Sequence, residues 1–467
     1  MVVSIEKGEI MSAVKKVLIV NGSPKGNNSI TLQTSKYLEL LFPDITFEVI
    51  NVGAKIKAYE KDMSEAIDKL VNTDLIIFSY PVYTFIAPYQ LHRFIELIKE
   101  SGVDLNGKYA TQISTSKHFY DWTAHRYIED NALDLGLKYI KGLSADMDDL
   151  TTKKGQKEAV DFFNNLLYQV ENDIYERNTF SYEEPKRVPV VFSEGTQTTS
   201  NGDIVVLTNC EDNDEQLKDM ITLFIQKAPR KTRVINIREY PFKGGCLGCF
   251  RCASSGKCIY KDNFDEFLRG QIQTAESIVF AFTIKDHSMG ASFKLYDDRQ
   301  FCNGHRTVTM GMPMGYIVSG NLSKEENLKV IIEGRANVGG NYLAGVATDE
   351  YDPNTEIENL AKNIDYALTN SYVPPQNFLG IGGMKIFRDL IWQMQGMMKA
   401  DHKFYKAHGQ YDFPQKKRGR MIAMYLVGAL MSNKKLMAKA GDMVNKGMLM
   451  PYQKVLDDTK KKLESNK

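Results

Sequence analysis

The chain has 467 residues, of which 43% are hydrophobic, 25% charged and 10% aromatic, and its net charge is +1. This composition excludes a disordered, collagen-like or disulfide-rich protein and allows two or three globular domains. The longest apolar run, Met421–Met431, is too short to cross a bilayer, and Met1–Lys15 lacks the apolar core of an export signal. We therefore expect a cytoplasmic protein with reduced cysteines.

Residues 1–177 alternate apolar strands with amphipathic helices. This alternation predicts a parallel sheet covered on both faces, the doubly wound α/β class. The predicted strands are Lys16–Gly22, Thr46–Val52, Asp74–Ser79, Tyr109–Ser114 and Lys138–Ser144. The predicted helices are Ile30–Leu41, Met63–Val71, Gln90–Lys99, Trp122–Leu135 and Lys154–Tyr175.

Three polar loops follow strands of this first half. Asn21–Ser29 (N-G-S-P-K-G-N-N-S) opens a helix, and its hydroxyls, N–H groups and helix dipole suit a monophosphate such as that of FMN. Ser79–Phe85 and Ser114–Lys117 leave two further strands, and ligands of open α/β sheets bind at such strand ends. The alternatives are a capped helix start and ordinary turns. The candidate flavin-binding residues are Ser23, Lys25, Asn27, Asn28, Ser29, Pro81, Val82, Tyr83, Thr84, Ser114, Thr115 and Ser116.

Residues 178–201 are polar and are predicted to be a linker, after which the alternation restarts in residues 202–373. The predicted strands are Asp203–Thr208, Thr232–Ile237, Ser277–Thr283, Met314–Ser319 and Leu343–Thr348, and the predicted helices are Asp214–Lys227 and Glu356–Asn370. The chain thus reads as a tandem duplication, two flavodoxin-like doubly wound sheets with diverged halves. The loop Thr208–Asp214 carries three acids that would repel a phosphate, and Thr283–His287 replaces the proline-containing loop.

Four of the six cysteines, Cys246, Cys249, Cys252 and Cys258, form a C-x2-C-x2-C-x5-C run in the second half. Three thiols on one short turn favour an iron–sulfur cluster, with zinc or a relic motif without metal as alternatives. Cys210 and Cys302 are predicted to be small buried residues.

Residues 374–467 are predicted to be a helical, methionine-rich extension. Lys385–Lys467 contains 18 Lys and Arg against 7 Asp and Glu, so it carries +11 on an otherwise acidic chain. This extension is expected to dock on the chain's own acidic surface, with an acidic partner or a membrane surface as alternatives. Met421–Met431 is expected to be buried against the sheets or a second chain rather than at a lipid surface. Nucleic-acid binding is not expected, because the basic residues lack interleaved aromatics on a known module.

The G-S-P-x-G-N and P-V-Y loops resemble those of the NAD(P)H-dependent FMN reductases of the flavodoxin-like group. The cysteine run, followed by Ile259–Phe264 (I-Y-K-D-N-F), is similar to the iron–sulfur flavoproteins of that group. The resemblance covers residues 15–370 and implies FMN, a [4Fe–4S] cluster, NAD(P)H as donor and a homo-oligomer. Here the loops and the cysteines stand in different halves. We therefore expect a single-chain pseudo-dimer with one FMN in the first half and one cluster in the second.

The expected function is an oxidoreductase that passes electrons from NAD(P)H or another donor through FMN and the cluster to a small-molecule or protein acceptor. The alternatives are an electron-transfer module between partner proteins, a cluster-free quinone, nitro or azo reductase, and a redox sensor. No catalytic residue is assigned. The histidines are taken as structural, with His305 near the degenerate loops of the second half, and Lys294, Asp298 and Arg299 as a solvated helix face.

Overall fold

The computed structural model describes residues 14–177, 187–192, 201–432 and 443–465. The start of the chain and most of the predicted linker lie outside the described residues. The chain divides into two compact units, Met1–Tyr405 and Lys406–Lys467, and the first unit contains both sheets. The predicted domain bounds, 1–177, 178–201, 202–373 and 374–467, stay a prediction.

The first sheet is parallel, with strand order β2-β1-β3-β4-β5 and a further strand, β6, beside β4. Its apolar strands are buried because helices cover both faces. The strands are β1 (Lys16–Asn21), β2 (Thr46–Ile50), β3 (Leu75–Pro81), β4 (Tyr109–Ser116), β5 (Lys138–Tyr139) and β6 (Leu143–Asp146). Because β1, β3 and β4 are neighbours, their carboxyl ends open at one edge of the sheet.

The second sheet is also parallel, and its order β8-β7-β9-β10-β11 repeats that of the first. Its strands are β7 (Ile204–Thr208), β8 (Thr232–Asn236), β9 (Ser277–Thr283), β10 (Pro313–Ser319) and β11 (Tyr342–Thr348). The predicted fold class, two flavodoxin-like doubly wound sheets with a helical extension, is confirmed.

The helices of the first half are α1 (Ile30–Leu41), α2 (Val52–Tyr59), α3 (Ser64–Val71), α4 (Tyr89–Ser101), α5 (Asp121–Asp134) and α6 (Lys153–Glu171). Those of the second half are α7 (Glu215–Lys227), α8 (Arg251–Ser255), α9 (Phe264–Phe267), α10 (Gly290–Arg299), α11 (Glu326–Gly339) and α12 (Pro353–Asn370). The extension contains α13 (Phe378–Gln393), α14 (Lys399–Ala407), α15 (Arg418–Met431) and α16 (Met443–Ser465).

Two local predictions for the first half need correction. The second strand ends at Ile50 and α2 follows it, although no separate helix was predicted there. The predicted strand Lys138–Ser144 is broken into β5 and β6. The break contains Gly142, where a Cβ would stand 2.2 Å from the carbonyl oxygen of Gln112, so the chain there passes close against β4.

The two halves pack through equivalent helices, α4 against α10 and α5 against α11. The turns after β3 and β9 are also alike. Tyr83 and Ile86 exchange backbone hydrogen bonds, as do Lys285 and Ser288, and the two residues between them have positive φ in both turns. The second half therefore keeps the backbone of the proline-containing loop although its sequence has changed.

The second unit contains α15 and α16. The described side chains of Met421–Met431 are exposed within this unit, Tyr425 at 79%. The expected burial of this run against the sheets or a second chain stays a prediction. Within the described part of the chain, no helix is both long and apolar enough to cross a membrane.

Candidate functional site

A cavity of about 400 Å³ opens at the carboxyl ends of β1, β3 and β4 and is lined by both halves of the chain. Its walls include nine of the twelve candidate flavin residues: Ser23, Lys25, Ser29, Pro81, Val82, Tyr83, Thr84, Thr115 and Ser116. Its walls also include all four clustered cysteines: Cys246, Cys249, Cys252 and Cys258. The loops and the cysteines, which are far apart in the sequence, thus meet in one place.

The remaining three candidates do not line this cavity. Asn27 turns its Oδ1 to the Nδ2 of Asn51, 3.0 Å away. The hydroxyl of Ser114 is buried and lies 2.8 Å from Nε2 of His125. Asn28 belongs to a short turn before α1 and lies outside the lining. Their flavin contacts stay a prediction.

The loop after β1 is stabilised by hydrogen bonds and close packing with neighbouring residues. Asn21 donates from Nδ2 to the carbonyl of Gly26 at 2.9 Å and to Oδ1 of Asn51 at 2.8 Å. Gly53 lies so close that a Cβ there would stand 2.2 Å from the carbonyl carbon of Ser23. The loop is therefore held in shape without a ligand.

The same loop ends at a positive helix terminus. Ser29 caps α1 by accepting the N–H of Leu32 at 3.3 Å. Ile30 and Thr31, the first residues of α1, line the cavity together with Lys25. The helix dipole and an ammonium group thus favour an anion at this end of the cavity.

The turn after β3 is held by α10 of the other half. Lys294 donates from Nζ to the carbonyl of Tyr83 at 2.8 Å. Asp298 accepts the hydroxyl of Thr84 at 3.1 Å and the N–H of Tyr89 at 2.7 Å. The second half therefore positions the loop that was predicted to contact the flavin ring.

The charges on α10 are not a solvated face, and that expectation is wrong. Lys294, Asp297 and Asp298 are fully buried, and Arg299 is 1% exposed. Lys294 pairs with Asp298, and Arg335 pairs with Asp297. Burial raises the pKa of Asp298 to about 6 despite Lys294, whereas the charge of Arg335 outweighs burial and lowers the pKa of Asp297. Sequence alone gave no sign of burial, because the covering surface belongs to the other half.

The loop that carries the cysteines, Cys246–Cys258, packs directly against the flavin loops. Gly248 has φ +60°, and a Cβ there would stand 1.9 Å from the hydroxyl oxygen of Tyr83 and 3.4 Å from Cε of Lys25. The Nζ of Lys25 lies 5.5 Å from the ring centroid of Phe250. Close approach of these two loops therefore requires glycine at position 248.

The four thiols do not form a ligand group as they stand. Among the described residues, no group of three or more Cys, His, Asp or Glu is arranged so that it could hold a metal ion. Burial raises the pKa of the Cys252 thiol to about 11 and that of Cys246 further, so both are protonated at neutral pH. Metal ligation requires thiolates, so binding of a metal here would have to displace these protons. Cys210 and Cys302 are buried, as predicted, and Cys302 also lines the cavity.

The equivalent loop of the second half differs in charge. Asp214 occupies the position of Ser29 and caps α7 by accepting the N–H of Leu217 at 3.2 Å. Its other oxygen accepts the hydroxyl of Thr283 at the end of β9. A carboxylate here repels a phosphate where the first half offers a neutral hydroxyl.

The strand ends of the second half are also closed by side chains and by part of the predicted linker. Asp349 is fully buried and accepts the hydroxyl of Ser319 at 2.6 Å and the N–H of Gly320 at 2.8 Å. Its carbonyl accepts the N–H of Val188 at 2.7 Å. Residues 187–192 therefore lie beside the end of β11.

Six aromatic side chains line the cavity next to one another, and we call this set the aromatic wall. They are Tyr83, Phe85, Phe119, Phe301, His305 and Phe387. Successive ring centroids lie 4.2 to 6.3 Å apart. The wall joins both halves and α13, so the extension completes the cavity. A flat apolar surface of this kind suits a planar ring.

The residues that complete the cavity were missed by the sequence reasoning. His305 was expected near the degenerate loops of the second half, but it lies in the aromatic wall. Phe387 comes from α13, which was not assigned to any site. No local motif marks either residue, because their neighbours in space are distant in the chain.

FMN fits the cavity in its chemistry. The anion-binding residues of α1 and Lys25 and the aromatic wall line the same cavity. The acidic side chains Asp297 and Asp298 are neutralised by basic partners and therefore do not repel a phosphate. The matching position in the second half carries the carboxylate of Asp214, 3.8 Å from a guanidinium nitrogen of Arg187, where the first half has the hydroxyl of Ser29.

A family model described as flavodoxin-like fold matches residues 15–160, about a third of the chain. No curated protein matches. An FMN-dependent NADH-azoreductase from Bacillus anthracis is 16% identical over 33% of this chain and 99% of its own, with a TM-score of 0.26. An NAD(P)H:(acceptor) oxidoreductase from Paracoccus denitrificans is 17% identical over 34% and 98%, with a TM-score of 0.29. A general stress protein 14 from Treponema denticola, in complex with FMN, is 14% identical over 33% and 99%, with a TM-score of 0.28.

Proposed function

We propose that this chain is an FMN-dependent oxidoreductase that takes electrons from NAD(P)H and passes them to a small acceptor. The observation that carries the proposal is a cavity lined by both an anion-binding helix terminus and the aromatic wall, at the carboxyl edge of a flavodoxin-like sheet. A flavin mononucleotide has the matching chemistry, since it carries both a phosphate and a planar ring.

Each part of the cavity has a role in this proposal. Ser23, Lys25 and Ser29 hold the phosphate, helped by the N-terminus of α1. The turn Pro81–Thr84 and the end of β4, Thr115–Ser116, contact the ring. When bound, FMN supplies hydride acceptance from a nicotinamide and the release of electrons as a pair or singly. The chain's own contribution is binding, orientation and the exclusion of water by the aromatic wall.

The acceptor in this proposal is a small planar molecule, such as a quinone, nitro or azo compound. The aromatic wall lies inside the cavity rather than on the outer surface, which favours such a molecule over a redox protein. The electron-transfer module between proteins, and the homo-oligomer expected from the resemblance, have no specific observation in their favour.

A [4Fe–4S] cluster on the four cysteines is the second candidate. The observation that favours it is that all four line the same cavity as the flavin loops. The thiols as placed do not converge, so no step of the proposed reaction depends on a cluster. Iron and acid-labile sulfide in anaerobically purified protein test it directly: four of each per chain support a cluster, and their absence leaves a cluster-free reductase.

The flavin proposal is tested by exchanging the helix-capping residue, which is Ser29 in the first half and Asp214 in the second. We expect Ser29→Asp to weaken FMN binding to the flavin-free protein by about 10²–10³-fold. The reason is that two like charges about 4 Å apart repel by about 4 kcal/mol at an effective dielectric constant of 20. The measurement is the quenching of FMN fluorescence on titration.

The matched control is Asp214→Ser, the reverse exchange in the second half. Both side chains cap a helix, so both variants keep a capping residue. Asp214→Ser should leave FMN affinity within about twofold, which is about 0.4 kcal/mol. Equal losses in the two variants, or none in Ser29→Asp, would remove the first-half loop from the phosphate site.

A further inference from the structure

An imidazole in the aromatic wall has no role in the function proposed so far. The ring centroid of His305 lies 4.9 Å from that of Phe387 and 6.3 Å from that of Phe301. The side chain is 13% exposed and lines the cavity. Its Nδ1 lies 3.0 Å from Oδ2 of Asp401, and its Nε2 makes no hydrogen bond to the described residues.

Asp401 is held firmly behind this imidazole. It lies on α14, is fully buried, and also accepts the N–H of His305 at 3.1 Å and Nη1 of Arg306 at 2.9 Å. Gly304 has φ +61°, and a Cβ there would stand 2.2 Å from Oδ1 of Asp401. A carboxylate that accepts from Nδ1 fixes the ring and leaves Nε2 to exchange a proton. The extension thus supplies the group that orients a histidine of the second half.

On the basis of the proposed flavin function, we propose that His305 is the proton donor to the acceptor and that Asp401 is its positioning residue. A conjugated carbonyl of the quinone class takes two electrons and one hydrogen, as a hydride, from the reduced flavin. It takes one proton from Nε2 of the protonated imidazole, so that an O–H bond forms as the N–H bond breaks. The neutral imidazole then regains a proton from water, and the product is the hydroquinone.

Three other polar groups of the cavity, Arg299, Arg335 and Tyr83, are less suited to this step. The guanidinium groups of Arg299 and Arg335 are paired with Asp262 and Asp297 and do not release protons at ordinary pH. Burial raises the pKa of the Tyr83 phenol well above its usual value, which makes it a weaker acid. The imidazole is the side-chain type whose proton exchange matches neutral pH.

The test compares two acceptors that differ in their need for a proton. Menadione, a naphthoquinone, takes a hydride and a proton, whereas ferricyanide takes single electrons and no proton. For His305→Gln we expect kcat with menadione to fall by about 10²–10⁴-fold with KM little changed, since general acids contribute this much. Ferricyanide reduction with NAD(P)H, and the FMN dissociation constant of the flavin-free protein, should stay within about twofold.

The control is His118→Gln, because His118 is exposed, outside the cavity lining and bonded to Asp121. It should change neither acceptor's kinetics. Asp401→Asn should have the same kind of effect as His305→Gln: kcat should fall with menadione and should not fall with ferricyanide. If Asp401→Asn fails to fold, the comparison of the two acceptors in His305→Gln still tests the proton-donor role.

Two results would overturn the proton-donor role. One is an equal loss with both acceptors in His305→Gln, which would make the residue structural. The other is unchanged menadione kinetics in that variant, or a wild type that reduces ferricyanide but not menadione. None of these results would contradict the proposed flavin function. A wild type that binds no FMN would instead remove the proposed function and this inference together.

Discussion

Gly248 is the residue at which the cysteine loop and the flavin loops come closest. Its φ of +60° favours glycine, and the space that a Cβ would need is taken by the hydroxyl of Tyr83. Gly256, in the same loop, has φ +75°, but the nearest atom to a Cβ is 3.9 Å away on Arg306. The two glycines thus share a backbone requirement and differ only in what surrounds them.

We predict that Gly248→Ala weakens FMN binding by about tenfold, about 1.4 kcal/mol, because the new methyl group displaces Tyr83 from the flavin turn. Fluorescence titration of the flavin-free protein measures this effect. Gly256→Ala bears the same left-handed strain of about 1–2 kcal/mol in folding free energy and should leave FMN affinity unchanged. If the two variants bind FMN alike, contact between the loops does not shape the site.

At the scale of single residues, some features of the site could be predicted from the sequence and others could not. The difference between Ser29 and Asp214 could be predicted from the sequence, because each residue follows the first strand of its half and opens a helix. The pairing of His305 with Asp401 was not visible, because 96 residues separate them in the chain. Local pattern predicts local structure and strand-end loops, but not which distant side chains meet.

At the scale of elements, α10 determines how the halves meet. Its buried charges hold the turn after β3 and pair with one another and with Arg335 on α11. Removing one partner of such a buried pair typically costs about 3–5 kcal/mol, because the other charge is left uncompensated. The sequence reasoning took this face as solvated, since a charged helix face usually is, and only the placement of α4 opposite α10 shows otherwise.

The contact of His287 with α5 predicts that the stability of the fold depends on pH. His287, in the turn after β9, bonds Asp134 of α5 through Nε2 at 3.0 Å and Glu325 through Nδ1 at 3.1 Å. Burial lowers the pKa of His287, but these two carboxylates outweigh it and raise the value to about 10. The charged imidazole therefore links the first half to the second.

We predict that His287→Gln lowers the free energy of unfolding by about 1.5–3 kcal/mol at pH 6, the usual contribution of hydrogen bonds to charged groups. The folded pKa lies above the unfolded value of about 6.5, so the contribution is complete below that pH and is lost as pH rises through about 10. Urea unfolding of both proteins between pH 6 and pH 10 measures it. A difference that grows with pH would contradict this assignment.

At the scale of the whole molecule, the two sheets and their common strand order were predictable, because apolar strands alternate with helices twice along the chain. The separation of flavin loops and cysteines between the halves was predictable for the same reason. The flavin loops and the cysteines meet in one cavity because α4 packs on α10, and this packing could not be predicted from the sequence. No sequence motif indicated that α13 closes the cavity.

Under the proposed function, one half binds the flavin and the other half, with the extension, completes and closes the cavity. The second set of strand ends carries Asp214 and lies beside residues 187–192. We therefore propose that this chain, with its two flavodoxin-like sheets, has one site for FMN.

The most direct test is the amount of FMN bound per chain in protein purified anaerobically and saturated with FMN. Absorbance of the released flavin against a quantitative amino-acid analysis gives this ratio. The account predicts one FMN per chain, and still one in Asp214→Ser. Two per chain would show that the second half also binds flavin, and none would show that the cavity is not a flavin site.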